Sequence, residues 1–382
     1  MKYRTFTILH KDKKSKARVG LLKTKSGNIK TPFFMPVATK TSVKHISSEN
    51  LESMNAQAII CNAFILSLRP GVEVIKKIGG ISKFMSYRGI IFTDSGGFQM
   101  YSPSLYAGTK KDGIIFKNSY TGEKKFITPE MNMEIQFAFD SDVAMCLDSM
   151  PLLHESKESI EAAVKKTTLW AHRCKECHDS IQSHLPKEKK QLLFGIIQGG
   201  IHKDLREKSA KEITALDFDG FSIGGLALGE PKESEYSMIE IAKHYIPENK
   251  PCYLMGAGNP LELIEAIDRG VDIFDSRFPT KNARHGTIFT SSGFLRISNA
   301  SFRKDFSPID SECKCFVCKR YTRSYISYLL KDGEGVGFQL ASYHNLYFLQ
   351  QLMQRAQTAI AEGNFKNLRK EIFNSYKSKV KG

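Results

Sequence analysis

Asp275 closes a short apolar run, Val271 to Phe274, and Arg277, Lys281, Arg284 and His285 follow it closely. A carboxylate at the end of a buried strand costs free energy unless it is paired or used. Pro279 bars simple continuation of the strand. The cations beyond it form a basic loop of the kind that grips a phosphate backbone. One acid beside several cations fits nucleophilic attack on a carbon carried by a polyanion. The plainer reading is a strand cap followed by a solvated loop, and this stretch alone does not choose between the two.

Other apolar runs end on residues of related chemistry. One ends in Asp94-Ser95-Gly96-Gly97-Phe98-Gln99 and another in Asp148. Three more end in Gln198-Gly199-Gly200, Gly224-Gly225-Leu226 and Met255-Gly256-Ala257-Gly258. A turn requirement explains any single one of these glycines. Brought to one mouth, the set suits a purine-like base. Its amidine edge donates to a carboxylate, and its carbonyl accepts from an amide and a backbone N–H. Phe98 and Met255 would cover its two faces, although each also reads as ordinary core. A flipped base, a basic rim and a carboxylate nucleophile together indicate base exchange or base removal on a nucleic acid.

Cys313-Lys-Cys315-Phe-Val-Cys318 has metal-ligand spacing, and His344 is a candidate fourth ligand for a closed, structural zinc set. Cys174, Cys177 and His178 mimic half of such a site. They lie late in a helical pattern with no second half nearby, and read as incidental helix positions.

Eight apolar runs could carry these residues: Pro32–Val37, Ala56–Cys61, Gly89–Thr93, Asp142–Leu147, Leu192–Ile197, Gly220–Ile223, Pro251–Leu254 and Val271–Phe274. Most are continuous, as expected of parallel strands buried on both faces. Ser48–Met54, Glu158–Cys177, Asp204–Leu216, Ser234–His244 and Pro260–Arg269 have amphipathic helical patterns between them. Eight β–α steps predict a (β/α)8 TIM barrel with catalytic groups at the C-terminal strand ends. The open doubly wound alternative lacks a Gly-x-Gly-x-x-Gly after its first strand. Met100–Pro129, with Thr121-Gly122, predicts a hairpin inserted after the third strand. Residues 1–284 are read as the barrel and residues 285–343 as a zinc-binding insertion. Residues 344–382 are the last helix, opened by His344, and a Lys-rich tail that frays at its tip.

The chain has 382 residues, 41% hydrophobic and 25% charged, ordinary for a globular protein of this length. Its formal charge of +16 and pI near 9.3 favour an acidic partner, nucleic acid ahead of a membrane surface. A lysine-rich genome would produce a similar bias. No apolar run is long enough to span a bilayer, and Met1 to Lys30 has no signal-peptide core. Eight cysteines without a secretory signal are expected in a reducing cytoplasm.

Thr93-Asp-Ser-Gly-Gly-Phe-Gln99, Ile197-Gln-Gly-Gly200 and Ile223-Gly-Gly-Leu-Ala-Leu-Gly-Glu230 resemble motifs of the tRNA-guanine transglycosylases. So do Tyr253-Leu-Met-Gly256 and Phe274-Asp275 with Pro279-Thr280, and the likeness runs in order from Pro32 to the final helix. The resemblance implies a TIM barrel with a zinc subdomain that exchanges guanine at the tRNA wobble position for a 7-deazaguanine, toward queuosine. It implies that Asp275 is the nucleophile and Asp94 the general acid/base, with Ser95, Gly96, Gly97 and Phe98 around the base. Asp148 would bind the amidine edge, Gln198 and the Gly225 amide the carbonyl, Leu226 the deazaguanine substituent, and Met255 a face. RNA would be held by Gly256, Ala257, Gly258 and Asn259, and by Thr280, Lys281, Asn282, Ala283 and Arg284. The zinc ligands would be Cys313, Cys315, Cys318 and His344. The expected partners are tRNA with guanine at the wobble position, the free base (preQ1 or queuine) and a second copy in a homodimer.

Alternatives within the resemblance are an archaeal-type enzyme acting on the D-arm and a non-catalytic partner subunit. The chain's short end after the last helix speaks against the first, and the presence of both Asp94 and Asp275 against the second. A zinc-stabilised RNA-binding protein without chemistry is the alternative of another class. Bacterial relatives that take 7-aminomethyl-7-deazaguanine (preQ1) follow the base-binding Asp with Glu-Cys and carry Val in the Leu-Ala-Val-Gly-Glu loop. Relatives that take queuine have Asp-Val and a Gly at those places. Here the residues are Ser149-Met150 and Leu228, matching neither.

Overall fold

All eight predicted runs form strands of one parallel sheet. They are Phe33–Pro36, Ala58–Asn62, Ile90–Asp94, Val143–Met145, Leu192–Ile197, Gly220–Ile223, Cys252–Leu254 and Ile273–Ser276. The structure is a computed structural model and describes residues 4–97, 102 and 104–377. From the second strand onward each pairs with the next, and the eighth pairs with the first. A parallel bridge between Val37 and Ile60 brings the first and second strands together, where the Ala38 N–H donates to the Ile60 carbonyl at 2.8 Å. The barrel is nearly closed.

Strand residues alternate between the barrel interior and the surrounding helices. Phe33, Met35, Ala58, Ile60, Ile90, Phe92, Val143, Met145, Phe194, Ile196, Tyr253 and Ile273 fill the interior as one buried cluster. Phe92 meets Phe33, Phe194 and Tyr253 edge-on, at centroid distances of 6.1, 5.9 and 6.5 Å. Gly220 faces this packing, where an added Cβ would lie 2.4 Å from the Phe194 ring. Phe34, Ile59, Cys61, Ile91, Ala144, Phe221, Ile223, Cys252, Leu254 and Phe274 point outward into the helix-packed cluster.

The outer helices follow the predicted order. Lys157–Ile181 extends beyond the expected Glu158–Cys177, and Lys203–Thr214, Lys232–Tyr245 and Pro260–Asp268 lie close to expectation. Three features differ. A three-stranded antiparallel sheet, Phe6–Lys11, Arg18–Lys23 and Asn28–Thr31, precedes the barrel and places Phe6, Leu22 and Ile29 in the interior cluster. The insertion after the third strand has three strands, Tyr106–Lys110, Gly113–Lys117 and Lys124–Ile127, so the expected hairpin is only its second half. The last barrel helix is Gly335–Ala361, which puts His344 in its third turn and the expected boundary between residues 343 and 344 inside it. The tail forms a helix, Phe365–Lys377, and the expected frayed tip lies outside the described residues.

Candidate active site and metal centre

Alternation along the third strand sets the first carboxylate. Ile90 and Phe92 face inward, so Asp94 faces the barrel axis at the C-terminal end. Asn62 is its register partner on the second strand and donates from Nδ2 to Asp94 Oδ2 at 3.0 Å. The Asn62 Oδ1 meanwhile caps the next helix by accepting from the Ile65 N–H at 2.8 Å. Burial, followed by the charges of Asp148 and Asp275, pushes the Asp94 carboxyl up to about 7. The Gly96 amide and Asn62 oppose that rise.

Asp275 shares its inward face with Ile273 on the eighth strand. The Tyr253 hydroxyl donates to its Oδ1 at 2.6 Å, and the Gly256 N–H donates to the same oxygen at 3.0 Å. Burial raises the Asp275 carboxyl, and these two bonds and Arg277 hold the rise in check. Burial and the Asp275 charge keep the Tyr253 phenol protonated, well above its usual range. Tyr253 is therefore a fixed donor.

Asp148 is buried and accepts at Oδ2 from Gln198 Nε2 at 2.7 Å and at Oδ1 from the Ser95 hydroxyl at 3.3 Å. Burial raises it to about 6, and the bonds from Gln198 and Ser95 lower it. The Asp94–Gly97 turn lies so close that a Cβ on Gly97 would stand 2.1 Å from Asp148 Oδ1. Gln198 Oε1 is buried with no hydrogen-bond partner among the described residues. Leu226 is buried and Met255 half-buried against the interior cluster. Phe98 lies outside the described residues.

Three carboxylates thus share one mouth, each perturbed by its own surroundings, an arrangement that suits acid, base and nucleophile roles in one site. The basic segment beyond Asp275 is a short helix, Phe278–Arg284, not a loop, because Pro279 sits in its first turn. Thr280 and Ala283 are buried, Lys281 is exposed, and Asn282 and Arg284 are half-buried. In the turn after Met255, Gly256 is exposed and Ala257 and Gly258 are buried. Asn259 Oδ1 caps the helix Pro260–Asp268 by accepting from the Leu261 N–H at 3.0 Å.

Cys313, Cys315, Cys318 and His344 bring their ligand atoms within 4.8 Å of one another. His344 Nδ1 lies 3.8, 3.5 and 3.3 Å from the three sulfurs in that order. Its Nε2 lies 2.7 Å from the Phe289 carbonyl, which fixes the proton there and leaves the Nδ1 lone pair facing the thiols. This donor set fits a structural metal ion. Cys174, Cys177 and His178 belong to helix packing: Cys174 is buried against the Leu147 N–H, and His178 pairs with Gln182.

The family model described as queuine tRNA-ribosyltransferase matches residues 12–378. The chain belongs to the queuine tRNA-ribosyltransferase family. It is 44% identical to the queuine tRNA-ribosyltransferase of Moorella thermoacetica, over 98% of both chains. It is 42% identical to that of Halothermothrix orenii, over 98% of this chain and 99% of the relative. It is 43% identical to that of Bacillus subtilis, over 97% of this chain and 96% of the relative. Membership makes it a tRNA-guanine transglycosylase, a pentosyltransferase that exchanges guanine in tRNA for a queuosine precursor. Among the described residues no helix is long and apolar enough to cross a membrane.

Four residues around this transglycosylase site were given no role from the sequence, although Tyr253 and Glu230 lie within two of its quoted motifs. Asn62 and Tyr253 hold the two carboxylates, and both lie on the inward parity of their strands. Arg206 is fully buried and donates to the carbonyls of Ile197, Gly224 and Gly200 at 2.8, 2.8 and 2.7 Å. It ties together the ends of the fifth and sixth strands. Its signal was a charge on the helix face that carries Leu205, Ala210 and Ile213. Glu230 is buried and accepts from the Ala227 and Leu228 N–H groups at 2.6 and 2.9 Å, pinning the loop after Leu226.

Proposed function

We propose that the chain replaces guanine at the tRNA wobble position by double displacement, with Asp275 as nucleophile and Asp94 as general acid/base. The observation that carries this reading is the contrast between the two carboxylates. Asp275 is held at Oδ1 by Tyr253 and the Gly256 amide, which leaves Oδ2 for attack, while Asp94 sits near 7 and can give or take a proton.

In the first half, Asp275 Oδ2 attacks the ribose C1′ and the C1′–N9 bond breaks. Guanine leaves with a proton from Asp94, and the ribose is esterified to the enzyme. In the second half, Asp94 takes the N9 proton of the incoming 7-deazaguanine. The base nitrogen then displaces Asp275, so two inversions retain the configuration.

Asp148 accepts from the amidine edge of the base, with the Gly225 amide at its carbonyl. Gln198 now donates to Asp148, so it turns its amide to the base carbonyl as the base enters. Ser95, Gly96 and Gly97 shape the edge of the pocket, and Leu226 and Met255 border the base and its substituent. Anticodon-loop phosphates meet Lys281, Asn282 and Arg284, and the turn Gly256–Asn259 lies beside them. Arg284 supports this reading: its Nη1 is buried with no hydrogen-bond partner among the described residues, and Arg277 repels it. A polyanion relieves both penalties.

Zinc is the ion the three thiols and His344 suit, in a structural role. A homodimer is supported by the aromatic surface of the metal region, where Phe316, Tyr325 and Tyr328 are 39%, 43% and 58% exposed. The free base we assign to the second half-reaction is preQ1.

The test of the chemistry is incorporation of labelled guanine into tRNA, with denaturing electrophoresis of the enzyme–RNA ester. Wild type should incorporate label and form the adduct. Asp275→Asn should do neither and still bind tRNA; near-normal turnover by that variant would remove Asp275 from the role.

A further inference from the structure

The inserted sheet has one face packed on the barrel and one turned outward. Ile114 and Phe116 are buried, and Phe116 stacks on Phe64 with centroids 3.8 Å apart. Alternation sends Ile115 and Lys117 to the opposite face, and the register places Phe126 beside Ile115 and Lys124 beside Lys117. Phe126 is 37% exposed, with Lys110 Nζ 5.9 Å from its ring centroid. Lys117 and Lys124 are exposed and directly opposed across the strands, a like-charge pair that disfavours the sheet by itself. Among the described residues neither has a carboxylate partner.

At the tip of this hairpin Tyr120 is 48% exposed. The Arg69 guanidinium lies 5.1 Å from its ring centroid, and Lys40 Nζ lies 5.9 Å from the centroid and donates to the hydroxyl at 3.3 Å. Lys40 follows the first barrel strand, Arg69 the second, and the insertion the third. All three therefore emerge at the C-terminal end of the barrel, the end that carries Asp94 and Asp275.

We propose that this outer face, from Lys110, Lys117 and Lys124 to Tyr120, is a second RNA-binding surface. It takes backbone phosphates on its lysines and stacks one unpaired base of the tRNA on Tyr120. The proposal rests on tRNA being the substrate and adds a surface separate from the helix Phe278–Arg284. The opposed lysines are stabilised when a phosphate lies between them, and an exposed aromatic flanked by cations matches both faces and backbone of a single-stranded nucleotide. Arg69 covers part of the ring and supplies charge beside the stacked base.

The experiment is tRNA binding by anisotropy across a salt series, alongside guanine incorporation and thermal melting. Lys117→Gln/Lys124→Gln should bind tRNA about ten-fold more weakly at low salt, with a salt slope shallower by about 1.4 (roughly 0.7 for each lost phosphate contact). Tyr120→Ala should weaken binding about ten-fold with the slope unchanged, and Tyr120→Phe should bind as wild type. The KM for free guanine should not move in any variant. Unchanged affinity and slope in the double variant would overturn the surface. So would equal losses in Tyr120→Ala and Tyr120→Phe with a lowered melting temperature, which would assign Tyr120 to holding the hairpin. If wild type binds tRNA with this variant pattern yet incorporates no guanine, the exchange reading fails and the surface stands.

Discussion

Tyr253 and Asp275 stand on adjacent parallel strands, offset along one inward face, and the phenol donates to Oδ1 at 2.6 Å. In register, Tyr253 is opposite Ile273, so its side chain reaches up the barrel to the carboxylate above. The bond favours the anion that burial disfavours, and it selects which oxygen stays free.

Tyr253→Phe keeps the ring that packs edge-on to Phe92 and removes only the donor. A hydrogen bond to a charged group is worth about 1.5–3 kcal/mol, so adduct formation should slow by roughly ten- to a hundred-fold. Affinity for tRNA should hold, because the phenol touches no RNA in this scheme. Single-turnover formation of the ester measures this, and an unchanged rate would mean Gly256 alone orients Asp275.

Burial raises Asp148 to about 6 and Asp94 to about 7. In the proposed scheme Asp148 accepts from the base as the anion, so base capture should rise as pH climbs through about 6. Asp94 would give up its proton as guanine leaves, so kcat/KM for tRNA should fall as pH passes about 7. The two carboxylates interact, so the two apparent values belong to the pair. Stability runs the other way. Both folded values exceed the roughly 3.9 of an unfolded Asp, so their contribution is present at low pH and is lost as pH rises through the folded values. Asp94→Asn should therefore melt above wild type near pH ~8, with the gap narrowing toward pH ~4. A gap that does not depend on pH would show that Asp94 is not raised.

The barrel was legible because its strands are buried on both faces and appear as unbroken apolar runs, with their catalytic ends one residue further on. The N-terminal sheet was not, since its first strand buries only Phe6 well and mixes apolar and polar residues with no continuous apolar run. Its anchor is a contact far apart in sequence: Arg18 donates from Nε and Nη2 to Asp272 at 2.9 and 2.6 Å. The early start of the last helix was hidden by glycines. Gly337 is a glycine inside that helix because Leu329 packs where a side chain would be, with an added Cβ 2.7 Å from Leu329 Cβ. The three site acids were found at strand ends, and so were Gln198 and Ser95 that hold Asp148; the holders of Asp94 and Asp275 were not, because Asn62 and Tyr253 look like turn and core residues until the barrel aims them inward.

The metal site gives a separate prediction. Purified wild type should contain about one zinc per chain, and Cys315→Ala should lose it. Loss of a structural metal is among the few changes that exceed about 4 kcal/mol, and the region around Phe289 and the helix Gly335–Ala361 should loosen first. Discrimination between free bases should be unaffected in whatever folded fraction remains. Absence of zinc from the wild-type protein by elemental analysis would reject the ligand set.

Base selectivity should turn on Leu228. Glu230 holds the N–H groups of Ala227 and Leu228, and Ala227 has a positive φ of 57°, so the loop has little freedom to carry Leu228 aside. Leu228 is half-buried and bulkier than the Val or Gly of the related loops. It should crowd the cyclopentene ring of queuine and leave space for an aminomethyl group. Ser149 is small and buried, opening one flank without undoing that constraint. A misfit of one or two methylenes is worth about 1–3 kcal/mol, or roughly ten- to two-hundred-fold in kcat/KM. Wild type should therefore release labelled guanine from tRNA faster with preQ1 than with queuine, and Leu228→Gly should narrow the ratio mainly by improving queuine. Release by queuine alone in the wild type would mean that Leu228 points away from the pocket and that the substituent is read elsewhere.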